Sequence, residues 1–278
     1  GLMQQRQQER RESNLPVIDT PTHPLSIFKL IHISHPHSGG EKLGFDIVTV
    51  SDHIVVPRSI DSIYPYNETG EFAGRADGEY LEQLTTLMAI ASITDRLRLL
   101  TSVMVLPHRS PVLTAKILAT IDVLSNGRLD VGCGVGWMKE EFEALNRPPF
   151  NERGSITEEY IKIFKNLWTE SSPSFSGKYA SYNDIVFAPK PLQKPHPPIW
   201  MGGESRPALR RAARVADIWF PIIDNPRNPL DTPQRFANGV TQMKEIAELE
   251  EAIKNKKNTT HETADVIYHL LVTLESAG

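Results

Sequence analysis

Apolar positions recur along the chain with two different spacings. Short runs at Ser26–Ile33, Phe45–Val50, Leu97–Val105, Arg128–Val131, Ile199–Met201 and Asp217–Pro221 have the length and composition of strands. Between and after them, apolar residues fall every three or four positions over Glu79–Ser92, Pro111–Leu124, Ile156–Trp168, Ser205–Val215 and Thr232–Glu250, as on one face of a helix. Pro111 marks where one of these helices starts, because proline is tolerated only in a first turn. The gap between the first two strands is too short for a full helix. Ser174–Phe187 reads as a hairpin insertion, and the prolines at 189, 191, 195, 197 and 198 as an extended connector. Alternation of this kind predicts a parallel sheet with helical crossovers, whose ligands lie beyond the C-terminal ends of the strands. The chemistry is therefore sought directly after each strand.

The 278 residues carry 30 Lys+Arg against 34 Asp+Glu, a net charge of -4, with no long basic run. That balance argues against nucleic acid or an anionic membrane as the main partner. The single cysteine, Cys133, excludes an internal disulfide and a cysteine-built zinc site. No apolar stretch reaches the roughly 18 residues of a membrane span, so a cytoplasmic protein is expected. Residues 1–14 (GLMQQRQQERRESN) have no apolar face, which suggests a disordered tail over 1–20 and one domain over 21–278.

Four strand ends carry candidate chemistry. After Phe45–Val50 comes Asp52-His53, a carboxylate beside an imidazole, suited to holding a ring hydroxyl and moving a proton. An ordinary loop cap is the competing reading. After the third strand Thr101-Ser102-Val103 offers small hydroxyl residues. The fourth reads LDVGCGVGW, where Gly132, Gly134 and Gly136 let amides approach a phosphate or a cofactor edge before Trp137. This string is also similar to the first motif of S-adenosylmethionine-dependent methyltransferases. That fold requires a further strand ending in an acid about 20 residues on, where the chain instead has Pro148-Pro149. After Ile199–Met201, Gly202-Gly203-Glu204-Ser205 leads into a helix whose free amides suit an anion.

Taken together, GFDIVTVSDH, Thr101-Ser102-Val103, LSNGRLDVGCGVGWMKEEF, PPFNERG, FAPKPLQKPHPPIWMGGES and ALRRAARVADIWFP resemble the luciferase-like monooxygenase superfamily, in particular its coenzyme F420-dependent oxidoreductases. The resemblance implies an α/β fold of the (β/α)8 TIM-barrel type with a flavin-type ring at its C-terminal mouth. It implies F420 as cofactor, with FMN as the alternative, hydride transfer to or from a small organic substrate, and a possible homodimer. Asp52 and His53 would lie at the ring as catalytic residues. Ser102–Val103 would form a cis peptide backing the ring. Gly134, Gly136, Gly202, Gly203 and Ser205 would hold the phosphate. Trp137 stands where sugar-phosphate dehydrogenases of the family have a glutamate, which implies a flat or apolar substrate. The barrel reads as shortened near the first helix and in the seventh repeat, into which Thr232–Glu250 falls, with Ile267–Leu274 as a closing strand. A paralogue that binds flavin or a partner without catalysis is the reading if closure fails.

Two other patterns occur at the ends. Glu248, Glu262 and Asp265 resemble half of a MazG-type pyrophosphohydrolase signature, whose carboxylates hold magnesium, although Lys244 replaces its opening glutamate. Such spacings also describe any solvated helix. His32, His35 and His37 suggest a metal hydrolase, but the later strand ends lack the histidines and aspartate it needs, so no metal is expected.

Overall fold

The computed structural model describes residues 30–32, 39–72, 80–223 and 225–255. Their main sheet is wholly parallel and runs in chain order: β1 (Leu30–His32), β2 (Ile47–Val50), β3 (Arg98–Thr101), β5 (Leu129–Gly134), β8 (Ile199–Gly202) and β9 (Ile218–Phe220). A two-residue strand, β4 (Met104–Val105), continues β3 and also pairs with β5. Strictly consecutive order is that of a barrel wall and contains no reversal point. The methyltransferase reading therefore fails on topology as well as on motif.

Helices connect the strands. A single turn, α1 (Gly39–Lys42), precedes β2, as the short gap required. The crossovers that follow are α2 (Gln83–Ile93), α3 (Pro111–Leu124), the pair α4 (Lys139–Ala144) and α5 (Arg153–Thr169), and α6 (Arg206–Val215). A hairpin of β6 (Phe175–Ser176) and β7 (Ser181–Tyr182) forms within the expected insertion. The last described helix, α7 (Pro233–Asn255), follows the sixth strand position. It corresponds to the Thr232–Glu250 helix read from the sequence. The described residues thus form an α/β barrel wall with β1 and β9 at the margins of the described sheet. The segment read as tail, residues 1–20, and the proposed closing strand Ile267–Leu274 lie outside the described residues.

The core lies between sheet and crossovers. Val131, Cys133, Ile199 and Met201 are fully buried beneath Ile156, Tyr160, Phe164 and Leu167 of α5, and the Trp168 indole donates to Ala115 O at 3.0 Å. On the N-terminal side of the sheet, Arg98 forks onto Asp130 at 2.6 and 2.7 Å. That pair is remote from the strand ends where ligands bind, so its part is stability.

Two expected strands change. Leu97–Val105 is not one strand: it breaks at a cis peptide between Ser102 and Val103. Leu100 pairs with Asp130 and Met104 with Cys133, so four residues of the broken strand span three of β5. The fourth strand runs on through Gly132 and Gly134, which belong to it and not to a following loop. A Cβ on Gly132 would collide with the backbone oxygen of Thr101, and one on Gly134 with the Val103 side chain. These glycines let β5 lie close against the break. Gly132→Ala is expected to cost more than the about 1–3 kcal/mol typical of overpacking, because the obstacle is backbone. Gly202→Ala, whose Cβ meets nothing nearer than 3.7 Å, should be tolerated. Urea unfolding midpoints compare the two, and equal midpoints would contradict this packing.

Candidate active site

The second strand ends in Asp52 and His53. Asp52 is buried, and both its oxygens are engaged: one accepts Val105 N–H at 2.8 Å and Arg109 Nη1 at 2.7 Å, the other Arg109 Nη2 at 2.7 Å. Arg109 also reaches Glu82 at 2.9 Å, the N-cap residue of α2. Asp52 thus ties the end of β2 to β4 across the sheet. A carboxylate committed to a bidentate guanidinium and a buried amide is suited to positioning the residues around it.

His53 has a partner that the motif reading missed. Its Nδ1 lies 3.0 Å from Oε2 of Glu141, which is 1% exposed. The other oxygen of Glu141 accepts Ile54 N–H at 2.8 Å and Val55 N–H at 3.3 Å. Burial alone would raise this carboxyl, but the His53 hydrogen bond, the neighbouring imidazoles and the Ile54 amide outweigh it and hold it below its ordinary 4.5. Glu140 points the other way and accepts Asp61 and Ser62 N–H, each at 3.0 Å. Adjacent carboxylates in the first turn of α4 therefore hold the loop that follows β2. The local signal was an acidic pair at a helix start, which by itself only suits the helix dipole.

Several predicted residues come together here. The Val103 side chain is what a Cβ at Gly134 would strike and is among the nearest atoms to one at Gly202, so the ends of β3, β5 and β8 converge on it. Gly136 has φ +80 and faces Val105 and Phe142, which explains it by chain geometry. Trp137 sits in a run of rings: its centroid lies 5.1 Å from Tyr64 and 5.3 Å from Phe72, and Phe72 lies 5.1 Å from His53. The loop after β2 thus supplies aromatic walls beside the imidazole.

At the end of β8, Gly203 adopts φ +102 and Ser205 caps α6 with no side-chain hydrogen bond to the helix. Glu204, which motif reading left without a role, is buried and accepts Ile222 N–H and Asn225 Nδ2, both at 2.6 Å. Burial, the Glu204 charge and Tyr64 push the Tyr66 hydroxyl up to about 12. Arg153 donates to Gly136 O at 3.2 Å and to Phe150 O at 2.9 Å, with no carboxylate paired to it among the described residues. No group of three or more potential metal ligands occurs among the described residues. Glu248, of the C-terminal signature, is exposed on α7, and Glu262 and Asp265 lie outside the described residues, as do His35 and His37 of the histidine pattern.

The luciferase-like monooxygenase model matches residues 38–249 of this chain. The chain belongs to the luciferase-like monooxygenase family. Over 205 residues this luciferase-like chain is 31% identical to an uncharacterized protein of Mycobacterium tuberculosis, covering 72% of the chain and 70% of that protein. Over 147 residues it is 41% identical to the FMNH2-dependent dimethylsulfone monooxygenase of Pseudomonas putida, covering 52% of the chain but only 40% of that protein. The coenzyme F420 dependent tetrahydromethanopterin reductase from Methanopyrus kandleri shares the fold, with TM-score 0.61 and 18% identity over 82% of this chain and 62% of that one. A second model, phosphoribosyl-ATP pyrophosphohydrolase, matches residues 227–278 and overlaps the first. It covers the segment in which the MazG-type signature occurs. No helix among the described residues is long and apolar enough to cross a membrane.

His108 completes the cluster. It is 5% exposed, its Nδ1 lies 3.9 Å from Glu141 Oε1, and neither nitrogen is hydrogen-bonded among the described residues. Burial presses this imidazole below its ordinary 6.5, and the Glu141 and Asp52 charges only partly offset that. Below 6.5 the unfolded chain takes up a proton that the folded chain refuses, so His108 lowers stability as pH falls through that value. Urea midpoints measured between about pH 7 and pH 5 should fall less steeply in His108→Gln than in the parent. Parallel curves would contradict the assignment.

Proposed function

We propose that this chain is an oxidoreductase that works with a ring cofactor of the deazaflavin or flavin class, with F420 as the first candidate, on a small, flat or apolar organic substrate. The observation that carries the reading is His53 held at Nδ1 by the buried Glu141 at the end of β2, beside the aromatic walls of Trp137 and Phe72. The residues fit a phosphate-bearing ring. A Cβ at Gly202 would have ordinary space, the Ser205 hydroxyl is not spent on capping, and Arg153 brings a cation without a carboxylate partner among the described residues.

When bound, such a cofactor supplies hydride or oxygen-transfer chemistry that no side chain can perform. The chain's own residues do the rest. Gly202, Gly203 and Ser205, with Arg153, hold the phosphate end. Ser102 and Val103, with Gly134 close behind, back the ring. His53 moves a proton at its ring nitrogen, and Asp52 keeps the backbone around it in place through Val105 and Arg109. Trp137, Tyr64 and Phe72 shape the substrate space and exclude water.

An FMN-dependent monooxygenase is the second reading, favoured by the 41% identity to the Pseudomonas putida enzyme named for FMNH2. Fluorescence titration of the purified chain with F420 and with FMN separates the two. Tight F420 binding, weakened at least about tenfold in Gly202→Asp by repulsion between the carboxylate and the phosphate, is the expected result. Tight FMN binding alone selects the second reading. Binding of neither overturns both and leaves a non-catalytic paralogue. Magnesium-dependent release of pyrophosphate from a nucleoside triphosphate would move the chemistry to the C-terminal segment.

A further inference from the structure

Building on the assignment of His53 to proton handling, we propose that Glu141 is a positioning residue that fixes the His53 imidazole in its Nδ1–H tautomer and leaves Nε2 as the proton acceptor of the site. The geometry determines which atom does what. One oxygen of Glu141 is committed to the backbone, accepting Ile54 and Val55 N–H, and the other lies 3.0 Å from His53 Nδ1. An ionised carboxylate can only accept, so the proton in that contact sits on Nδ1. The lone pair of the neutral ring is then on Nε2, which has no hydrogen-bond partner among the described residues.

The groups around the pair are few. Phe72 and Tyr80 lie against the imidazole at 5.1 and 5.5 Å between ring centroids. His108 stands 3.9 Å from Glu141 on the side away from that contact, and Asp52 is already tied to Arg109. No second carboxylate among them is hydrogen-bonded to His53.

Glu141→Gln separates positioning from packing. The variant keeps size and shape, and its single carbonyl oxygen must stay on Ile54 N–H, because an NH2 group cannot face another N–H. The amide nitrogen then lies against His53 Nδ1 and can only donate. The ring must carry its proton on Nε2, so the acceptor becomes a donor while the loop stays where it was. A Glu141 that served only to hold the loop would leave the tautomer unchanged.

Long-range nitrogen–proton correlation spectra of ligand-free protein labelled with nitrogen-15 histidine read this directly, with His53 assigned from the signal lost in His53→Gln. The expected result is the Nδ1–H form in the parent and the Nε2–H form in Glu141→Gln. An Nε2–H parent, or a variant with the parent's tautomer, overturns the proposal. If the variant does not fold, the parent spectrum alone still decides between the two forms. With cofactor bound, the variant should also lose the about 10²–10⁴-fold that a positioned base contributes. The spectra need no ligand, so failure of F420 and FMN to bind would overturn the functional reading and leave the tautomer assignment intact. The wrong tautomer would do the reverse.

Discussion

A parallel sheet leaves the loops at its C-terminal edge with backbone N–H groups that no neighbouring strand can accept, and a buried N–H without a partner is costly. In this chain carboxylates take them. Asp52 accepts Val105, Glu141 accepts Ile54 and Val55, Glu140 accepts Asp61 and Ser62, and Glu204 accepts Ile222. Glu159 does the same for the hairpin insertion, accepting Lys178, Tyr179 and Ala180. Charge-assisted bonds of this kind are about twice as strong as neutral ones. The mouth of the sheet is thus an array of loops fastened from below, and His53 inherits its orientation from that array.

The interrupted third strand is the other half of the arrangement. With one extra residue between Leu100 and Met104, the chain bulges where β5 passes it, and Gly132 and Gly134 allow the approach. The Thr101 hydroxyl donates to Gly132 O at 2.8 Å and closes the contact. The same bulge brings Val103 between Gly134 and Gly202, so one side chain links three strand ends. Arg109 carries the effect further, from Asp52 to the start of α2 through Glu82.

Much of the framework was legible in the chain. Pro111–Leu124 was read to the residue, with proline marking its start; in the structure Asn126 and Gly127, both at positive φ, follow its end. The order of strands and crossovers and the Asp52-His53 position at a strand end followed from periodicity alone. What periodicity could not carry was pairing at a distance. Glu141 and Ile54 are 87 positions apart, and nothing local distinguishes a carboxylate that will accept a far amide from one that faces water. The glycine run carries two meanings for a related reason: a close approach to a neighbouring strand and a close approach to a phosphate demand the same absent side chain. The Asp52 partner, Arg109, is likewise 57 positions away on another loop.

A crystal structure of the chain grown with saturating F420 tests most directly whether the cofactor ring lies beside His53 and against Ser102–Val103. Density for the ring should lie between the His53 imidazole and the Ser102–Val103 segment, with the phosphate at Gly202–Ser205. A ring bound elsewhere on the chain, or a mouth that stays empty at saturation, would contradict this placement.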